Sequence, residues 1–353
     1  MKCLNSFCKL ILLSVGLVVS SCQKEESDPL GLSKTESENI NVPRMTKLGK
    51  KLENPYSIGN MKKAWKNLSK KYKISKNGEI ETTHLYIKFK PKTMEELGIL
   101  KQDSSLVLYD VPLDYEIDEG GDFYHDPEVP ISQPTYQYAA IPINKSLSNT
   151  VEYVILEELF IPDEDFDSPE TSKVQFASNE IIEQLVDESL RLTGNLKDTM
   201  PTTSLAARRR KWRPAGTIRV YDHVTRSYVG VSGVKVRARR WFTTRRGFTN
   251  NNGRFSCNGR FRRAANYSIK WDRYQYSIRS GSVGQAILNG PKRQGDWNVN
   301  LGNQNSTVVN DRQQYYALIH QGALDYYYGG RFGTYLASPK QFSKKTIENC
   351  GEN

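Results

Sequence analysis

Histidine and cysteine are scarce in this chain of 353 residues, with four of the first and five of the second. Cys3, Cys8 and Cys22 all fall at the N-terminus, so only Cys257 and Cys350 remain for the body of the protein. That excludes a disulfide framework and leaves one bridge or two free thiols as the alternatives. No His-Glu-x-x-His, no Gly-x-Ser-x-Gly, no phosphate-cradling glycine loop and no dinucleotide fingerprint occurs. The common routes to metal-assisted hydrolysis, serine acylation and nucleotide chemistry therefore have no motif here, and no cofactor is implied. After Val19 no stretch is apolar enough to cross a bilayer. Arginine is missing in a regional sense: between Cys22 and Leu205 there are only Arg44 and Arg191, whereas Ala206 to Asn353 holds twenty.

The charge follows the same division. Cys22 to Leu205 carries 21 Lys and Arg against 32 Asp and Glu, a net of −11, and Ala206 onward carries 27 against 7, a net of +20. Residues 101–200 are the most acidic, with 5 cations against 22 anions. Such asymmetry points to an anionic partner for the second half. That partner is either another molecule or the acidic half of the same chain.

The N-terminus is tripartite. Lys2 and Lys9 precede the apolar run Leu10–Val19, then come Ser20, Ser21 and Cys22. The run is too short to span a bilayer and reads as a secretory signal over residues 1–21. Val-Ser-Ser-Cys resembles a bacterial lipobox, with Val19 where leucine is usual. The resemblance implies that Cys22 becomes the first mature residue and that its sulfur carries lipid, anchoring the chain in a bilayer. An ordinary signal peptide cut nearby is the alternative. The sequence Cys22-Gln-Lys-Glu-Glu resembles the export tag of surface-facing Bacteroidota outer-membrane lipoproteins, with glutamates in place of the commoner aspartates. Residues 22–43 are polar and have few large apolar side chains, so they read as a tether.

Met61, Trp65, Leu68 and Tyr72 make one stripe of a helix whose opposite face is lysine. Thr82–Phe89, Ser105–Tyr115, Tyr136–Ile143 and Val151–Phe160 are strand candidates, and a helix is expected over Asn179–Leu192, capped by Ser178 and ended by Gly194. These elements predict an acidic α+β domain over residues 44–200. The run Asp163–Asp167 begins like a calcium loop but has Ser168 in place of glycine and Val174 in place of the closing glutamate. It fits a solvated loop or a contact for the basic half better than a calcium site. Residues 201–213, with Arg208-Arg-Arg-Lys211, read as a basic linker.

Beyond the linker, short strands alternate with glycine and asparagine turns, the pattern of a small antiparallel sandwich over residues 214–301. The motifs Gly216–Val220, Gly233–Val236 and Thr249–Phe255 resemble those of the carboxypeptidase regulatory-like (transthyretin-like) domain. The resemblance covers less than a third of the chain and implies a fold and an accessory or adhesive module, with no catalytic residue. The mature arrangement, including Trp297-Asn-Val-Asn and Ala317–Gly330, also resembles a group of Bacteroidota lipoproteins whose longer members continue into a zinc-metallopeptidase-like segment. With no His-Glu-x-x-His, this sequence does not carry that segment. A helix over about Asp311–Tyr328 dominates a C-terminal segment of residues 302–353.

Among the histidines, His84 falls in a strand and His223 in a turn beside Asp222. His125 has carboxylates nearby in Tyr-His-Asp-Pro-Glu, and His320 faces Tyr316 and Leu324 as a packed side chain would. The basic half offers more. Strand alternation puts Val234, Val236 and Ala238 on one face and Lys235, Arg237 and Arg239 on the other, about 6.5–7 Å between successive cations. Arg219 points outward on the preceding strand, and Arg245, Arg246, Arg260 and Arg262 gather around the next hairpin. Guanidinium forks grip phosphate, sulfate or carboxylate, and interleaved aromatics stack sugars or bases. The expectation is a non-enzymatic, surface-exposed lipoprotein that binds anionic polymers such as acidic polysaccharide, lipopolysaccharide or nucleic acid. Two other readings stand beside it: an accessory or shortened envelope hydrolase, and a structural scaffold whose basic half docks on its acidic half.

Overall fold

Apolar side chains spaced three and four apart build the first helix of this computed structural model, which describes residues 43–72, 80–147, 150–162, 179–198, 211–281, 284–306, 309, 311–329 and 345–347. Helix α1 (Ile58–Tyr72) buries Met61, Ala64, Trp65 and Leu68, with lysines on its open side. Tyr72, expected in the same stripe, is exposed. The strands β2 (His84–Phe89), β4 (Gln137–Pro142) and β5 (Tyr153–Leu159) form an antiparallel sheet in the order β4-β2-β5. Strand alternation sends Tyr86 to one face, where α1, α3 (Asn179–Leu192) and the side chains of Trp241 and Phe242 cover it. Ile87 and Phe89 point to the other face, with Leu100 of α2 (Met94–Gln102), Leu108, Ala139 and Ile141.

Helix α2 begins with Thr93 accepting from the Glu96 N–H at 3.3 Å, while the Glu96 carboxylate accepts from the Lys92 N–H at 2.7 Å. This reciprocal arrangement satisfies donors at the helix start. A short ribbon joins β1 (Lys47–Lys51) to β3 (Tyr115–Glu119).

The strand expected over Ser105–Tyr115 is a correction. Only Tyr109 pairs there, with Tyr138, before β3 begins. Pro112 has no N–H to give, and the carbonyls of Leu108 and Leu113 are taken by arginine side chains from the second half.

The basic half folds as two facing four-stranded sheets. In one, β6 (Ala215–Asp222) lies between β10 (Arg254–Ser256) and β15 (Trp297–Leu301) and also pairs β7 (Ser227–Gly230). The other runs β14-β11-β8-β9, from β14 (Ile287–Arg293) through β11 (Ala265–Lys270) and β8 (Lys235–Arg240) to β9 (Thr243–Phe248). Ile218, Val220, Phe255 and Trp297 of the first sheet meet Val236, Ala238, Tyr267 and Ile269 of the second in one core. The β6–β15 pairing is parallel, so the sandwich is mostly rather than wholly antiparallel. Gly253 adopts a left-handed φ of +72°, and its O accepts from the Ile218 N–H at 2.8 Å.

Helix α4 (Arg312–Tyr328) closes this core with Tyr316 and Ala317, capped by Asp311, whose carboxylate accepts from the Gln313 N–H at 2.9 Å. Beside it, β12 (Tyr276–Ser280) pairs β13 (Gly284–Gln285) and, in parallel, β16 (Lys345–Ile347). The architecture is mixed, with mostly antiparallel sheets and four α-helices among the described residues. The described parts of both halves belong to one compact unit. Cys22, the tether to residue 42, the Asp163–Asp167 run, Ser178, residues 201–210 and Cys350 lie outside the described residues.

Candidate functional site

Strand β8 alternates as its sequence requires, but both of its faces are covered. Val236 and Ala238 enter the sandwich core. Arg237 and Arg239, expected to face outward, are each only 6 % exposed because residues 106–113 lie over them. The Arg237 guanidinium donates to the Leu108 carbonyl at 2.9 Å and stands 4.6 Å from the Tyr109 ring centre. Arg239 donates to the carbonyls of Leu113 at 3.0 Å and Trp241 at 2.8 Å. Burial pulls the Arg239 pKa down, opposed by the fields of Tyr109 and Tyr86. Carbonyl dipoles and an aromatic face take the place of water around these two cations.

The other candidates divide. Arg262 pairs with Glu183 of α3 at 2.5 Å, and its neighbour Arg263 pairs with Asp187 of the same helix. Arg240, also buried, donates to the Ala264 carbonyl at 3.2 Å and borders a small cavity with Arg245 and Arg260. Arg219 and Arg246 are exposed. Lys235 is half-buried and donates to Asp272 at 2.9 Å.

A larger opening brings part of this set together. Between α2 with residues 103–108 on one side and β8, β9 and residues 270–279 on the other lies a cleft of about 1040 Å³. Its basic lining is Lys101, Lys235, Arg237, Arg246, Lys270, Arg273 and Arg279, against the carboxylates Glu95, Asp103 and Asp272. Two of those carboxylates are already engaged, Asp103 by Lys145 at 2.8 Å and Asp272 by Lys235. Cations thus outnumber carboxylates in the lining, with Arg246 the exposed one among them and Arg237, Lys270 and Arg279 largely buried in its wall. Its mouth carries Phe248, Tyr274 and Tyr328, all exposed, with Arg273 stacked 4.6 Å from the Phe248 ring centre and 5.1 Å from that of Tyr328. Cations set among open aromatic faces suit a ligand that is both anionic and ring-bearing.

Arg219, Arg239, Arg245, Arg260 and Arg262 do not line this cleft, and Lys101, Lys270, Arg273 and Arg279 are members that sequence reasoning missed. Strand register holds the signal for one of them. Asn266, Ser268 and Lys270 of β11 pair Arg239, Arg237 and Lys235 of β8, so they continue the same face.

The histidines are locally engaged. Burial lowers the pKa of His84, whose Nδ1 lies 2.9 Å from Thr83 Oγ1. His125 Nε2 reaches the Val129 carbonyl at 2.9 Å, and His223 Nε2 lies 3.1 Å from Gln314 Nε2. His320 is almost fully buried, with Nδ1 3.1 Å from the Tyr276 hydroxyl and Nε2 3.0 Å from the Ser232 carbonyl. Burial brings its pKa down to about 4. The buried Cys257 thiol is pushed up to about 12, which makes it a poor nucleophile. Among the described residues, no three or more His, Cys, Asp or Glu side chains are grouped to hold a metal ion. Comparison with family models, with curated proteins and with solved structures yields no match.

Proposed function

We propose that the chain is a lipid-anchored envelope protein, attached through Cys22 and facing the cell exterior from the outer membrane. It works as a non-enzymatic binder of anionic polymer. The observation that carries the binding role is the cleft, with seven cations against three carboxylates and an exposed aromatic mouth. A segment of acidic polysaccharide, lipopolysaccharide core or single-stranded nucleic acid would place its charged groups on Lys235, Arg246 and Arg273 and its rings on Phe248, Tyr274 and Tyr328. In this reading the sandwich is a carboxypeptidase regulatory-like module. Its two facing four-stranded sheets and the glycine turn at Gly253 support that reading.

Salt-titrated binding to a panel of anionic polymers tests the proposal. Affinity should fall steeply as salt rises, with a log–log slope of roughly 0.7–0.9 per nucleic-acid phosphate contact. The triple change Lys235→Ala, Arg246→Ala and Arg273→Ala should weaken binding at least tenfold and flatten that slope. Unchanged affinity and slope in the triple variant would remove the cleft as the binding site.

A scaffold role is favoured by a separate observation: Arg237, Arg239, Arg262 and Arg263 all bind groups of the first half. Two of these contacts, Arg262 with Glu183 and Arg263 with Asp187, neutralise opposite charges across the halves. Protease treatment checks it, since a scaffold of this kind should keep both halves associated after a cut within residues 201–210.

A further inference from the structure

Lys270 ends β11 at the foot of the cleft, opposite Lys235 of β8 and beside Ile287 of β14. It is 5 % exposed, yet among the described residues no hydrogen bond or ion pair engages its Nζ. Buried lysines almost always have a partner. The two carboxylates whose fields reach this amine, Asp110 and Asp272, each accept from another donor through Oδ1. Asp272 accepts from Lys235 at 2.9 Å, and Asp110 accepts from the Gln137 side-chain amide at 2.9 Å. Arg237 and Lys235 add like charge at close range. Burial brings the Lys270 pKa down to about 8, against the fields of Asp110 and Asp272, which raise it, and with smaller help from the like charges of Arg237 and Lys235. An amine that is largely buried, unpartnered, beside other cations and yet at the wall of an open cleft is the arrangement that activates lysine toward carbonyl carbon.

We infer that Lys270 is a carbonyl-reactive amine, condensing reversibly with aldehydes or 2-oxo acids that carry an anionic group. The inference rests on the reading of the cleft as an anion site, because Arg246 and Arg273 would hold the anionic end while the carbonyl reaches Nζ. The neutral amine attacks the carbonyl carbon, and the carbonyl π pair moves to oxygen. The resulting carbinolamine takes up a proton on oxygen and loses water as C=N forms. The amine's two protons and the carbonyl oxygen leave together as water, so neither oxidant nor reductant is consumed. The imine reverses by hydrolysis.

Borohydride trapping on the full chain, with pyridoxal 5′-phosphate as the probe aldehyde and peptide mapping as the readout, tests this. At pH 7.5, labelling at Lys270 should exceed that at exposed lysines such as Lys62 and Lys66 at least tenfold. It should level off above about pH 9, where surface lysines are still gaining free amine. Excess anionic polymer should protect Lys270, and Lys270→Met should lose this adduct alone. Labelling of Lys270 no faster than of the exposed lysines overturns the inference, and mapping of the unaltered chain decides this even if the variant fails to fold. A chain that binds polymer with the expected salt dependence but leaves Lys270 unlabelled would retain the cleft and lose the amine chemistry. Loss of polymer binding in a folded chain whose Lys270 still labels would do the reverse.

Discussion

The Arg239 guanidinium donates to the Leu113 carbonyl at 3.0 Å, joining a strand of the basic half to a loop of the acidic half without any carboxylate between them. Replacing Arg239 with alanine strands two buried carbonyls, those of Leu113 and Trp241, and opens a void. Arg239→Ala should cost about 3 kcal/mol in urea unfolding. Arg219→Ala, at an exposed position of β6, should stay within about 0.5 kcal/mol.

A second buried junction centres on Tyr86. Its hydroxyl donates to Asp114 at 2.9 Å and accepts from the Leu113 N–H at 2.8 Å, and burial raises its pKa far out of reach of solution pH. Tyr86→Phe keeps the ring contacts with Tyr138 and Phe242 but leaves the Leu113 N–H and one side of Asp114 unanswered. A loss of about 1–3 kcal/mol is expected, read by the same unfolding experiment.

His320 makes stability depend on acid. Its neutral ring accepts from the Tyr276 hydroxyl on Nδ1 and donates from Nε2 to the Ser232 carbonyl. The folded pKa of about 4 lies below the unfolded value of 6.5, so the unfolded chain binds the proton first. The contribution is whole above pH 6.5 and drains away as pH falls through 4, reaching roughly 3 kcal/mol at full protonation. Comparing unfolding free energies at pH 7.5 and pH 4.5 should show this loss in the native chain and a smaller one in His320→Gln.

Gly253 tests the turn between β9 and β10. With φ at +72°, an added methyl group would overlap the Ile218 carbonyl. Gly253→Ala should therefore destabilise the sandwich by more than about 2 kcal/mol. Gly295→Ala, also at positive φ but in open space, should cost less. Thermal melts of the two variants make the comparison.

Periodicity made much of this fold legible. The stripe of α1, the strands β2, β4 and β5, and the helices α3 and α4 lie close to where residue spacing put them. Helix α2 was also announced, by Thr93 and Glu96 three residues apart, but its weak apolar pattern hid that cap. The segment 105–115 misleads because its apolar composition suits a strand, whereas its carbonyls answer to Arg237 and Arg239, more than a hundred residues later.

The same distance hides part of the site. Alternation along β8 separates the cations from the valines correctly, but local sequence carries no trace of what will cover them. Lys270 becomes a neighbour of Lys235 only once the register of β11 against β8 is fixed. Strand patterning says which side chains share a face; which face meets water is decided by pairing across the whole chain.

Trp241 and Phe242 complete a core otherwise built from residues 52–196, and β6 waits for a parallel partner that ends at Leu301. A chain emerging from its N-terminus thus leaves the apolar face around Tyr86 only partly covered, by α1 and α3, until residue 242 arrives. It then holds β6 without its parallel neighbour for some sixty residues more. Long-range closure of this kind is slow and vulnerable to aggregation. A chain halted before Trp297 should therefore be recovered as aggregate or as protease fragments.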